Sequence, residues 1–276
     1  MIPELEPSEF YKCKKLLVHD GLLESKAAVE GMHSDRIFVD DPMSPDSGFI
    51  WLGSNNGFIF IGNEENTGFN SQLNHHFNTV IKPEANRVGL TGFEAIGDHP
   101  KWNKTIKNVF GENLKGYHQK VYELQKDHYI QKNEPLLEQG YKTVKITKSM
   151  VENNGSETYR NIEFLQSKVL QFWPSLERFF RHGVGYMVVY ENEIVSVCFS
   201  GVVAGNVHGI DIETLPHHQG KKLAQKVAHA FLQDCLENEI IPYWDCMEIN
   251  EASVSIAEKI GFRNKLNYSW YSVPFE

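Results

Sequence analysis

Residues 209–224 read G-I-D-I-E-T-L-P-H-H-Q-G-K-K-L-A, and the fold turns on how this stretch divides. The alternation in 209–214 predicts a β-strand with Asp211 and Glu213 on one face and Ile210 and Ile212 on the other. Pro216 and Gly220 punctuate the middle. From Gly220 to Glu237 an apolar stripe of Leu223, Val227, Phe231 and Cys235 predicts an amphipathic helix. The first N–H groups of a helix lack intrahelical partners and carry partial positive charge. Gly220 lets the backbone approach closely, and Lys221 and Lys222 add charge at the same end. That combination suits a phosphate or diphosphate; a plain helix start with two solvated lysines is the other reading.

Working outward, Ile241–Cys246 (I-P-Y-W-D-C) predicts a strand, and N-E-A-S-V-S-I-A-E-K-I-G-F at 250–262 a helix. Asn250 stands at its N-cap position and Gly261 at its close. Upstream, Gly185–Ser200 predicts a hairpin turning at Glu191-Asn192-Glu193. Glu157–Phe180 is helical but interrupted by Pro174, hence two helices. Val144–Ile146 alternates like a strand, as does the closing Tyr268–Val273. The polar stretch 126–140 is the candidate linker. In the first half, 48–62 (G-F-I-W-L-G-S-N-N-G-F-I-F-I-G) predicts a second hairpin. Residues 1–35 read as helical. Asn70–Ile81 predicts a helix stopping before Pro83, Arg87–Phe93 a strand, and Lys101–Phe110 a short helix.

Composition narrows the class. The chain has 276 residues, enough for about two domains. A net charge of −9 offers no basic field for a nucleic-acid backbone, so no nucleic-acid partner is expected. There is no apolar run of membrane-spanning length and no signal-like N-terminus, so no membrane partner is expected. Four cysteines lack zinc or redox spacing. The expectation is a reduced, cytoplasmic protein without a metal site. The histidine pairs His75-His76 and His217-His218 have no matching carboxylate or cysteine.

Two segments together carry a family resemblance: Gln219-Gly220-Lys221-Lys222-Leu223-Ala224 between strand and helix, then Asn250-x-x-Ser253…Gly261-Phe262 on the next helix. In this order and spacing they resemble the GNAT superfamily of acyl-CoA N-acyltransferases. The likeness covers about residues 140–276 and includes the order of predicted elements. It implies an α/β fold with a mixed, centrally splayed β-sheet over 136–276. By analogy with two-domain relatives, 1–135 is expected to be an α/β domain forming a degenerate GNAT-like copy.

The resemblance implies that backbone amides of Gln219, Gly220, Lys221, Lys222, Leu223 and Ala224 hold the diphosphate of acetyl-CoA. Backbone groups of Ile210, Ile212 and Thr214 would pair with its pantetheine arm. Asn250 and Ser253 would face the cofactor. The reaction implied is acetyl transfer to a primary amine, small-molecule or peptide, without a metal. Glu213 is expected as proton acceptor, with Asp211 as its near alternative. Two departures stand out. Lys222 occupies a position usually held by glycine, tolerable there if its φ is helical. Ala257 stands where many members carry a tyrosine that protonates the leaving thiolate. Tyr243, Tyr268, Tyr271 or water could substitute, with Ser253 and Cys246 weaker candidates. A non-catalytic acyl-CoA sensor, and an enzyme using another acyl group, are the competing readings.

Overall fold

Runs of β-branched and aromatic residues flank turn residues in both halves of the chain, and each such run forms a hairpin. The computed structural model of the protein describes residues 2–53, 56–112, 114–151 and 159–275. The chain forms two compact units, Met1–Gln119 with Asn267–Glu276, and Lys120–Leu266.

In the first unit a 3-10 helix (Pro7–Leu16) and α1 (Leu23–Val29) precede β1 (Arg36–Val39), β2 (Ser47–Trp51) and β3 (Gly57–Gly62). The expected helical run over 1–35 is broken because Asp98 draws away the N–H groups of Val18 and Leu22. β2 and β3 pair antiparallel with Trp51 opposite Phe58; Ser54 and Asn55 of the predicted turn lie outside the described residues. Next come α2 (Thr67–His76), a π turn (Phe77–Ile81) and α3 (Lys82–Arg87). The helix therefore does not stop before Pro83. The π turn, where Lys82 N–H bonds Phe77 O, restarts the ladder so that Pro83 falls in a first turn, where a missing N–H is tolerated. This extension displaces the expected strand at 87–93, and β4 is Gly92–Gly97, parallel to β3. α4 (Trp102–Phe110) follows. The core is aromatic, built on Phe38, Phe49, Phe58, Phe60, Phe77 and Phe93.

The chain enters the second unit within β5 (Lys115–Glu123). There it forms β6 (Tyr141–Lys145), α5 (Lys148–Val151), α6 (Ile162–Leu170), α7 (Leu176–His182) and β7 (Gly185–Tyr190). β8 (Glu193–Ala204), β9 (Val207–Thr214), α8 (Leu223–Glu237), β10 (Ile241–Met247) and α9 (Glu251–Ile260) follow. β11 (Arg263–Pro274) carries the chain back, its second half pairing antiparallel with β4. The second unit's sheet runs β10-β9-β8-β7-β6, antiparallel except for the parallel pair β9–β10. α8 covers one face, with Leu223, Val227, Phe231 and Cys235 buried against Val188, Val195 and Trp244.

The polar stretch 126–140 is not a loose linker. Tyr129 bonds His229 Nδ1 at 2.8 Å, and Asn133 Nδ2 donates to Lys259 O at 2.7 Å. Glu134 pairs with Lys226 at 2.6 Å. These bonds fasten the segment to α8 and α9, so the units change over at Gln119/Lys120 and not at 135/136.

Candidate active site

The site begins where β9 and β10 stop pairing. Their parallel register runs Val207–Ile241, His208–Pro242 and Gly209–Tyr243, and ends there. β9 continues to Thr214 and β10 to Met247, so Ile210–Thr214 face a gap where a neighbouring strand would lie. The cause sits on the other edge of β9. Ser200 opposes Ile210 while Val202 opposes Gly209, which leaves Gly201 as the extra residue of a bulge. A bulge sharpens local twist, and this one lies level with the last β9–β10 pair. The bulge is pinned: Ser200 Oγ bonds His208 Nδ1 at 2.8 Å, and Trp173 Nε1 donates to Ser200 O at 2.7 Å. Burial holds His208 down to a pKa of about 4, so it is neutral here.

At the far end of the gap lies the loop before α8. Gln219 Nε2 donates to Thr214 O at 3.1 Å, tying the loop to the strand end. Gly220 has φ +79° with open space around it. Lys222 has φ +61° and ψ +20° and is the N-cap, with no side chain capping the helix. The condition under which a non-glycine is easily tolerated there, a helical φ, is therefore not met. The position demands the left-handed conformation natural to glycine, and lysine adopts it at a cost of roughly 1–2 kcal/mol. The amides that open α8, including those of Leu223 and Ala224, face no cap. Lys221 is turned aside: its Nζ donates to Tyr141 at 2.7 Å, and the same hydroxyl bonds His218 Nδ1 at 2.9 Å.

The two strand carboxylates share a face, as alternation predicts, opposite the one where Ile210 and Ile212 pack toward α8. Their surroundings differ. Asp211 is enclosed beside Gly201 and Phe172, and its Oδ2 is buried without a hydrogen-bond partner. Burial pushes its pKa up to about 6; Lys168 pulls it down and Glu213 pushes it up. Glu213 is half-exposed and ion-paired with Lys168 of α6. Residue patterning alone missed Lys168. The signal was present: Lys168 stands one turn after the buried Leu165 and beside the buried Val169, a lysine at the margin of α6's apolar face.

On the following helix, Asn250 caps α9 by accepting from Ser253 N–H at 3.1 Å. Ser253 Oγ accepts from Trp244 Nε1 at 2.9 Å. Both side chains are thus held by the protein itself. Ala257 is buried in the core, and Gly261 closes the helix at φ +116°. Among the tyrosines, Tyr243 is buried at the last paired rung of the gap. Tyr268 and Tyr271 belong to the first unit, Tyr271 within its core. Cys246 is buried and its thiol pushed up by burial. Among the described residues no His, Cys, Asp and Glu are grouped to hold a metal. No helix among them is long and apolar enough to cross a membrane.

With this geometry in hand, known proteins place the chain. A family model described as GNAT acetyltransferase matches residues 18–271. The uncharacterized N-acetyltransferase YdfB of Bacillus subtilis (strain 168) is 26% identical over 238 residues, 85% of this chain and 84% of the relative. A GCN5-related N-acetyltransferase-like protein from Streptococcus suis 89/1591 shares the fold with a TM-score of 0.70 at 18% identity, over 96% of this chain and 98% of that one. A tandem GNAT protein from the clavulanic acid biosynthesis pathway matches with a TM-score of 0.56 at 14% identity, over 88% of this chain and 83% of the other.

Proposed function

The chain belongs to the GNAT acetyltransferase family, and on that premise we propose that its second unit moves an acetyl group from acetyl-CoA to a primary amine. The observation that carries this reading is the parallel ladder that ends at Gly209–Tyr243 while both strands run on. The residues present fit acyl-CoA. Backbone N–H and C=O groups of Ile210, Ile212 and Thr214 suit an extended amide-bearing arm laid along a strand edge. The uncapped end of α8 with Gly220 suits a diphosphate. Acetyl-CoA would supply an activated thioester carbonyl. The chain's part is to hold it, exclude water and take up the proton of the attacking amine. The Asp211–Glu213 face is where that proton would go, and Tyr243 is the hydroxyl best situated to assist the leaving thiol. The four free, buried cysteines suit a reducing cytoplasm.

Acetyl-CoA titration followed by tryptophan fluorescence or melting temperature tests the binding half, and no response at millimolar ligand overturns it. Thiol release across an amine panel tests the transfer half. Ala257, buried where a proton donor is common, favours a second reading as an acyl-CoA sensor; binding without turnover for any amine would support it. Faster turnover with a longer acyl-CoA would assign a different acyl group.

A further inference from the structure

We propose that Lys168 is a positioning residue for acyl transfer: by clamping Glu213 it removes that carboxylate from proton transfer and leaves Asp211 Oδ2 as the acceptor of the amine's proton. This rests on the reading that the cleft acylates an amine. The two carboxylates lie on one face of one strand, yet only one is free to act. Glu213 is bound to a cation, and a paired carboxylate is a poorer base because taking a proton would break the pair. Asp211 has the opposite situation. Its Oδ2 is buried with no partner, and a buried polar atom left unpaired costs about 1–3 kcal/mol. An ammonium arriving in the cleft would supply the missing hydrogen bond and then lose its proton along it. The step balances: one ammonium proton passes to Asp211 Oδ2, the nitrogen lone pair forms the C–N bond, the C–S bond breaks, and the departing thiolate takes the second proton that the acylated nitrogen sheds. Asp211 then returns its proton to water.

The charged and titratable groups around Asp211 are Lys168 of α6, Glu213 of its own strand and the thiol of Cys198 on β8. The buried Cys198 thiol is pushed far up and stays neutral. The balance at Asp211 is therefore set by Lys168, which favours the carboxylate, against Glu213, which opposes it. Removing Lys168 does two things at once. It raises the pKa of Asp211, and it frees Glu213 to compete for the proton.

The experiment is thiol release from acetyl-CoA against pH, with acetyl-CoA affinity and melting temperature measured beside it. Asp211→Asn should lower kcat/KM by about 100-fold or more, the usual worth of a positioned base, with acetyl-CoA affinity retained. Glu213→Gln should cost far less and move the acidic limb of the profile to lower pH. Lys168→Met should move that limb to higher pH by about one unit, and Lys168→Arg should restore it. A change in rate without a shift of the limb would make Lys168 merely structural and overturn the proposal. So would loss of turnover in Glu213→Gln with Asp211→Asn still active, while acyl transfer itself would stand. A wild-type protein that binds acetyl-CoA but acylates no amine overturns the transfer reading instead. In that case carboxyl NMR titration still decides the electrostatics: the Asp211 titration must lie above the ordinary carboxylate range and must rise in Lys168→Met.

Discussion

The two units run through the same order of elements: a hairpin, a helix, a strand parallel to the hairpin's second strand, a helix, and a further strand. At the parallel pair they part company. In the first unit the β3–β4 register runs to Phe60–Gly97, the last residue of β4. Trp102 is fully buried there, with its ring 5.6 Å from that of Phe60 and its Cβ against Gly97. In the second unit the corresponding ladder ends early and the strand edges are left open. The helices that follow differ in the same sense. Asn66 caps α2 by accepting from Phe69 N–H, behind the acidic pair Glu64 and Glu65, and His99 Nε2 bonds Gly62 O across the preceding loop. α8 has no cap, a glycine and two lysines. One topology thus yields a closed core in one place and an open strand gap in the other. The difference lies in how far a ladder runs and what occupies a helix end, so one acetyl-CoA per chain is the stoichiometry expected by calorimetry.

The severest way to break this contrast is to empty the filled side. Trp102→Ala should cost about 3–5 kcal/mol in urea unfolding, while protein that stays folded binds acetyl-CoA as before. A folded variant that has lost its affinity would show that the first unit takes part in binding.

Buried carboxylates sharpen the contrast next. Asp98 in the first unit accepts from Val18 N–H, Leu22 N–H and Ser25 Oγ. Asp211 has no such donors at Oδ2. Asparagine at 98 would set its NH2 against those donors, so Asp98→Asn should destabilise by about 1–3 kcal/mol. Asp211→Asn should do the reverse at pH 7. A carboxyl raised to about 6 in the fold contributes its stability below the unfolded value of 3.8, and that contribution is lost as pH rises through 6. The variant's advantage should therefore grow between pH 4 and 6 and level off above, on the order of 1–3 kcal/mol. A flat difference across that range would refute the burial argument.

How much of this could be read from residues alone depends on the range of the forces involved. The hairpins at 48–62 and 185–200 and the Asn250 and Gly261 caps are local patterns, and they lie where the pattern puts them; the helix predicted over Gly220–Glu237 forms as well but starts at Leu223, because Gly220 and Lys222 take left-handed backbone. The continuation through Pro83 was hidden because the π turn that permits it has no residue signature. The packing of 126–140 was hidden because its partners lie some 90 to 130 residues away, as with Asn133 and Lys259. Within the site, the glycine before α8 and the shared face of Asp211 and Glu213 were legible. Which carboxylate is free was not, since that is decided by Lys168 from another element.

At the helix ends the comparison predicts an affinity effect on one side and a stability effect on the other. Gly220→Val forces a β-branched residue to φ +79° and should weaken acetyl-CoA binding about tenfold or more, with little change beyond the roughly 1–2 kcal/mol of backbone strain. Asn66→Ala should cost about 1 kcal/mol of stability and leave the affinity alone. Any loss of acetyl-CoA affinity in Asn66→Ala would mean that the closed helix end also serves the ligand.

The smallest effect is the most discriminating, because strain and charge pull in opposite directions at Lys222. Its left-handed backbone at φ +61° is unfavourable for lysine and natural for glycine. Lys222→Gly should therefore raise stability by somewhat under 1 kcal/mol, the strain released less the added freedom of the unfolded chain, or about 2 °C in melting temperature. If the lysine contributes only charge, the same variant should weaken acetyl-CoA binding, more at low salt than at high. Lys222→Ala separates the two. It removes the charge and keeps the strain, so it should show the salt-dependent loss of affinity without the gain in melting temperature. Should both variants bind as the wild type does, the backbone amides of α8 alone hold the diphosphate, and the lysine is a tolerated substitute for glycine.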